Sequence, residues 1–394
     1  MLIKKAKIYS SIFLFSLIFL TPIPNFGTDV YSPSLPEIAK SLSSSDELIK
    51  LSVSIYLIMY GIGQLFFGVL SDVYGRRKLL LHGLALFTIF SFIASYSNSI
   101  YILLAARIAQ GLAVSIISVL TKAIITDKYC GRKLKKVSTY KVNAQVLSII
   151  LAPLLGSYIQ TISNWTYSFV FLGTYGAIGW FCALLFIPET CKKKSKLNIK
   201  LVFLSLKYIC SHETFMLLTI DTAILYSIIG LLGVLGPFIL QDTMKYGPLT
   251  YGISALFCGL SYMSGSIVSY RLTPKGLFYL SSVIFMVSSM VLILSTLWTV
   301  ISVFLFVIPV LLIMGACGLL LPRMMNYTLN VFRLKAGGAA SAVFGALVMF
   351  GMGLTLSISG FVNTKSLAPI GCFYFLLCSI CISILSFKKL YQHL

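Results

Sequence analysis

Apolar runs recur twelve times along the 394 residues. Each approaches the ~20 residues that a helix needs to cross a hydrocarbon core. They fall at roughly 9–36, 48–70, 79–97, 100–126, 138–160, 166–187, 211–240, 250–270, 277–296, 299–330, 336–362 and 367–387. Such a chain cannot hide its surface from water. Only 10% of its residues are charged and 58% are hydrophobic, whereas a soluble domain carries about 25% charged residues. The expected class is an all-α integral membrane protein with twelve transmembrane helices.

The net charge of +21 raises nucleic-acid binding as a possibility, and its distribution argues against it. An even number of spans returns the chain to the face where it began. On that face lie Lys4, Lys5 and Lys7, then Arg76, Arg77 and Lys78, then Lys128, Arg132, Lys133, Lys135 and Lys136. Lys192, Lys193, Lys194, Lys196, Lys200 and Lys207 follow, then Arg271 and Lys275, Arg333 and Lys335, and Lys388 and Lys389. The other face holds Lys40, Lys50, Lys245 and Lys365. Basic residues concentrated in alternate loops mark the cytoplasmic side, so both termini are expected in the cytoplasm and no nucleic-acid partner is expected.

The basic start and the apolar run from Ile8 to Leu20 mimic a secretory signal. No small-residue cleavage site follows, and the segment continues through Pro33 and Pro36. An uncleaved first span is expected. The nine cysteines are scattered and imply no disulfide framework. Cys378 and Cys381 lie within the last apolar run without a nearby histidine, which suits small apolar packing better than a metal or redox pair. The histidines are dispersed as well, so no cofactor or metal is expected, and an enzyme reading lacks any cluster of acids, His or Cys at workable spacing.

The stretch 188–210 is basic and comparatively polar, and it separates six spans from six. Its apolar residues between lysines suit either a helix lying on the membrane surface or a plain tether. The expected organisation is an N-terminal six-helix half (1–187), a basic linker (188–210) and a C-terminal six-helix half (211–394), the layout of a transporter built from two related halves.

Polar groups inside the bilayer are expensive and each needs a reason. Asp29 lies in Gly27-Thr-Asp-Val-Tyr-Ser-Pro33-Ser-Leu-Pro36, where the two prolines should loosen the helix end. It reads either as a carboxylate lining a path or as a cap at the membrane edge. Asp221, early in span seven, is either a second cavity charge or a boundary residue. Arg323, behind Pro322, faces a cavity or snorkels outward. Gln64 faces a cavity or bridges helices.

Between spans two and three, Gly68, Asp72 and Gly75 are followed at once by Arg76, Arg77 and Lys78. A connection this short makes the two helices antiparallel neighbours. The pattern resembles the loop signature between helices two and three of the major facilitator superfamily, with Val73 where a basic residue is usual. Arg107-Ile-Ala-Gln110-Gly111 resembles that superfamily's fourth-helix motif, in which the arginine is implicated in proton coupling. Ala152-Pro153-Leu-Leu-Gly156 resembles its antiporter signature, with Ala152 and Ser157 replacing two glycines. Together with Pro188-Glu189-Thr190, Gly236-Pro237, Tyr246-Gly247 and Ala336-Gly337-Gly338-Ala339, these residues resemble the bicyclomycin/chloramphenicol-resistance branch of twelve-helix drug:proton antiporters.

That resemblance implies a proton-coupled exporter of drugs or small amphipathic molecules in the inner membrane, working by alternating access and sufficient as a monomer. Its partners are a small-molecule substrate, protons and the lipid bilayer. Asp29, Arg107, Gln110, Asp221, Arg323 and Gln64 would serve proton coupling or substrate. Gly68, Asp72, Gly75, Arg76 and Arg77 would form a cytoplasmic gate, and Pro153 and Gly156 would mark the antiporter helix. The alternative is a dedicated metabolite or siderophore exporter, or a nutrient importer, on the same fold.

Overall fold

The first span is not one continuous helix. The computed structural model describes residues 2–191, 199–295, 302–332, 337–387 and 390, and it breaks this span at its prolines. Helix α1 (Leu2–Leu20) ends at a turn, α2 (Ile23–Asp29) begins behind Pro22, a short 3-10 turn covers Ser32–Ser34, and α3 (Leu35–Ser41) carries Pro36 in its first turn. Proline has no N–H to donate and is tolerated only where that donor would be free anyway. The loosening expected at Pro33 and Pro36 is therefore present, and Pro22 and Pro24 add an earlier break.

The remaining helices follow in order: α4 (Asp46–Tyr74), α5 (Arg76–Ser95), α6 (Ile100–Lys128), α7 (Gly131–Ile162), α8 (Trp165–Phe186), α9 (Ile199–Cys210), α10 (Glu213–Pro237), α11 (Pro248–Ser269), α12 (Pro274–Leu294), α13 (Val303–Asn330), α14 (Gly337–Ser359) and α15 (Ala368–Ser386). The described residues are 88% helical and include no strand. Among the described residues, twelve helical segments are long and apolar enough to cross a membrane. Polar caps start several of them. Ser45, Ser99, Asn164, Thr273 and Ser302 each accept a bond from an amide of the following turn.

The expected spans and the helices agree within about five residues except at α1, which starts at Leu2 rather than near 9, and at α7, which starts at Gly131 rather than near 138. Lys133, Lys135 and Lys136 extend it as a polar turn beyond the apolar stretch. Among the expected basic positions, Lys192, Lys193, Lys194, Lys196, Arg333, Lys335, Lys388 and Lys389 lie outside the described residues. Within the expected linker, α9 packs Leu206 and Ile209 against Phe215, Phe332 and Phe344, while Leu204 and Tyr208 stay exposed.

The helices sort into two sets by contact. In the first, α4 and α5 pack on α6, α5 packs on α8, and α2 packs on α7. In the second, α11 and α12 pack on α13, α12 packs on α15, and α10 contacts α13, α14 and α15. The sets meet along two seams, α4 on α14 and α7 on α11. Counting spans, these are the second with the eleventh and the fifth with the eighth, so exchanging the two sets of six maps one seam onto the other.

Small residues make the seams close. A Cβ on Gly61 would lie 2.6 Å from the Phe350 amide nitrogen, and one on Gly353 would lie 2.8 Å from that of Ile58. Lipid tails are as apolar as leucine, so helices in a bilayer associate through such close packing rather than by apolar burial.

Candidate functional site

Arg107 is the largest fully buried side chain, with 0% exposure. It sits on α6 between two rings, its guanidinium carbon 4.4 Å from the Tyr31 centroid and 4.1 Å from that of Tyr56. Nε donates to the Ser52 carbonyl at 3.3 Å, and Nη1 donates to Gln110 Oε1 at 2.8 Å. Gln110 in turn donates to Ser91 Oγ at 2.8 Å. The Tyr31 and Ser52 hydroxyls lie 3.1 Å apart, and Tyr56 donates to the Pro24 carbonyl at 2.9 Å. Stacked rings and neutral acceptors hold the cation. Among the described residues it makes no ion pair, and no acceptor stands in hydrogen-bonding geometry to Nη2. The motif residues Arg107 and Gln110 thus belong to one network joining α4, α5, α6 and the broken first span.

Asp29 ends α2 at this break and is partly exposed. Among the described residues no salt bridge reaches it, and the neighbouring Thr28 hydroxyl donates to the Asn25 carbonyl at 2.9 Å. Three residues on, the Ser32–Ser34 turn packs on α7 of the first set and on α10 and α11 of the second. The carboxyl therefore stands where the two sets meet. Gly156 packs here too, since a Cβ on it would run into the Val30 carbonyl oxygen. Pro153 lies one turn earlier inside α7.

Beyond Asp29, the end of the molecule bearing the Ser43 turn is held shut between the sets. Gln241 donates to the Pro33 carbonyl at 2.6 Å and accepts from Gln160 at 3.4 Å. Lys40 Nζ lies 2.6 Å from Asp242 Oδ1. Lys50 donates to the Gly360 carbonyl at 3.5 Å and stands 4.9 Å from the Phe238 ring centroid.

The other end, where the basic residues gather, carries the Gly75 turn. A single residue joins α4 to α5, and it has φ +102° and ψ 148°, a conformation open to glycine and costly to other residues. Helix α5 has no cap of its own, and Glu189 supplies one from beyond α8. Its carboxylate accepts from the amides of Arg76 at 3.0 Å, Arg77 at 3.2 Å, Thr190 at 2.9 Å and Cys191 at 2.9 Å. Burial pushes the Glu189 carboxyl up, but the four amides outweigh it and hold it below the usual carboxylate value. Arg76 pairs with Asp72 at 2.6 Å and Asp127 at 3.2 Å and donates to Ser71, while Arg77 donates to the Leu184 carbonyl at 2.7 Å. In this conformation those bonds all stay within the first set of helices. Gly68 sits further back on α4, its face in ordinary contact with Val119.

The other predicted residues lie apart from this network. Asp221 is fully buried on α10 beside the Cys381 thiol of α15, and neither carboxyl oxygen meets the geometric criteria of a hydrogen bond. Arg323 donates to the Ser269 and Leu272 carbonyls at and just beyond the end of α11, where Ser269 also accepts from the Leu272 amide at 3.4 Å. Gln64 is buried against Gly345 of α14, on a seam. Among the described residues, no group of His, Cys, Asp and Glu could hold a metal ion.

Sequence reasoning overlooked Tyr31, Tyr56, Ser52 and Ser91 around Arg107, and Asp127 beneath Arg76. Glu189 was noticed only within its Pro-Glu-Thr run. An acid just before the basic end of span four was the available signal for Asp127. Nothing local marked the two tyrosines.

Comparison with known proteins agrees with this geometry. A family model described as the Major Facilitator Superfamily matches residues 14–355. An "uncharacterized transporter" of Rickettsia bellii is 26% identical over 356 residues, 86% of this chain and 87% of that protein. A bicyclomycin resistance protein homolog of Haemophilus influenzae is 30% identical over 190 residues, 48% of each chain. The crystal structure of a D-xylose-proton symporter superposes with a TM-score of 0.72 at 14% identity, covering 95% of this chain and 97% of that one.

Proposed function

From the premise that the chain belongs to the Major Facilitator Superfamily, and is a multi-pass membrane transporter of small molecules, we propose that it is a proton-coupled exporter of small amphipathic molecules. Residues 1–187 and 211–394 would act as two rocking halves in the inner membrane, with the basic end and both termini in the cytoplasm. A monomer suffices for this mechanism. The observation that carries the reading is Asp29, a carboxyl without a cationic partner, placed at the break in the first span where both sets of helices meet.

A carboxyl so placed exchanges a proton as its surroundings wet and dry. Arg107 does not neutralise it, because Tyr31, Tyr56, Ser52 and Gln110 hold that guanidinium. Its role is to set the shape and positive field of the first half. With the Ser43 end shut by Gln241, Gln160 and the Lys40–Asp242 pair, cargo enters from the basic end. Export then requires those bonds to part while Asp72, Gly75 and Arg76 meet the second half and close the cytoplasmic side. The drug-resistance name of the Haemophilus influenzae relative supports amphipathic drugs as cargo.

Expression in efflux-deficient bacteria tests the reading. Wild type should raise the tolerated dose of some members of a broad drug panel, and Asp29→Asn at equal membrane level should not. Equal protection by both would remove Asp29 from the coupling.

A further inference from the structure

Lys50 is a cation kept from water although the end of its helix is near. It stands four residues into α4 from Asp46, about 6 Å along the axis. A lysine so close to a helix end ordinarily turns its ammonium outward. Here the residue is 2% exposed. Its Nζ reaches across to the second set of helices instead. It donates to the Gly360 carbonyl behind α14 at 3.5 Å and stands 4.9 Å from the ring centroid of Phe238, which is fully buried where α10 ends.

These contacts serve the charge poorly. An ammonium carries three donors, and a carbonyl at 3.5 Å lies at the long limit of a hydrogen bond. The ring face adds attraction, but among the described residues no acid forms an ion pair with Lys50. Asp242, four residues beyond Phe238, is held by Lys40 at 2.6 Å. A buried cation without an acid is costly, and the cost falls on the arrangement that buries it.

An acid is nonetheless within reach on the same helix. Asp46 lies one turn back and is exposed. An acid four residues before a lysine is the spacing and order in which the two meet on a helix surface. In this structure Lys50 is turned away from it. Gly360 and Phe238 both belong to the second set, as do the partners of Pro33 and Lys40 at this end. Parting the sets here would withdraw the carbonyl and the ring, wet the ammonium and leave Asp46 as its neighbour. Lys50 has a partner in each arrangement, and the better one belongs to the open arrangement.

We propose that Lys50 is a built-in opener of the Ser43 end: it destabilises the shut arrangement and, by exchanging the Gly360 carbonyl for Asp46 and water, sets how often that end opens. This rests on the reading above only in that the two sets part at this end. It needs no proton, cargo or direction of transport.

The test is electron–electron distance spectroscopy on the full-length protein in lipid bilayers. Spin labels at positions 41 and 365, exposed on either set, are placed in a background without native cysteines. Wild type should give a short and a long distance. Lys50→Met keeps the apolar stem and should lower the ratio of long to short at least about 5-fold, because the shut arrangement no longer buries a charge. An unchanged short distance shows that this variant is folded. Asp46→Asn should lower the ratio by a smaller factor and add nothing to Lys50→Met, since it acts only through the lysine. Lys40→Met removes a charge from the same end and should leave the ratio within about 3-fold of wild type.

A ratio unchanged by Lys50→Met overturns the proposal. So does a raised ratio, which would make Gly360 and Phe238 a clasp for the cation, and so do additive effects of the Lys50 and Asp46 substitutions. A single short distance in wild type and every variant would instead reject the parting of the sets, and the role of Lys50 with it.

Discussion

Replacing Gly75 with alanine perturbs the turn between α4 and α5 in two separable ways. The residue has φ +102° and ψ 148°, a region essentially reserved for glycine, where a side chain costs about 1–3 kcal/mol. The new Cβ would also lie 2.6 Å from Glu189 Oε2, so the carboxylate must leave the four amides it accepts. A lost helix cap costs about 0.5–2 kcal/mol. The sum for Gly75→Ala is about 1.5–5 kcal/mol, and for Glu189→Ala alone about 0.5–2 kcal/mol.

The two costs share the cap, so the double variant should cost about as much as Gly75→Ala rather than the sum. Thermal unfolding in detergent can be followed with a thiol-reactive dye, because Cys258, Cys317, Cys378 and Cys381 are buried and become reactive on unfolding. Extending the size trend of unfolding entropy to this chain, each kcal/mol moves Tm by about 1–2 °C. Gly75→Ala should lower Tm by about 1.5–10 °C. A shift under about 1 °C, or strict additivity with Glu189→Ala, would refute the clamp.

Other consequences are as direct. Gly156→Ala forces a methyl group into the Val30 carbonyl and should destabilise by about 1–3 kcal/mol, read as a lower Tm with transport reduced in parallel. Because the folded Glu189 carboxyl titrates below its ordinary value of 4.5, its stabilisation is complete above that pH and disappears as pH falls through the lower folded value. Glu189→Gln should flatten that acid limb of Tm against pH. Cysteines at positions 40 and 242, in a background with the nine native cysteines replaced, should react with a short bifunctional maleimide and stop transport. Neutralising Lys40 alone should change little, since an exposed pair contributes about 0–1 kcal/mol.

Much of the fold was legible because its signals are local. Hydropathy marks each span within its own twenty or so residues, and Pro33 and Pro36 mark the break because a proline's missing donor acts where it sits. The Gly68–Arg77 hairpin was legible for the same reason. The cage around Arg107 was not. Tyr31 and Tyr56 look like ordinary members of apolar runs, and Ser52 lies 55 residues from the arginine it meets. Arg323 stood out as a cation inside an apolar helix, but the carbonyls it serves belong to the end of α11, and only the packing of α11 on α13 brings them together. Asp127 went unnoticed because its partner, Arg76, lies on another helix.

The claim that Asp29 carries the coupled proton is tested most directly in proteoliposomes containing the purified protein, a substrate identified by drug protection, and an imposed pH gradient. Wild type should move substrate against its concentration gradient while protons flow the other way, and Asp29→Asn should bind the substrate but show neither coupled movement. Undiminished gradient-driven transport by Asp29→Asn would contradict the account.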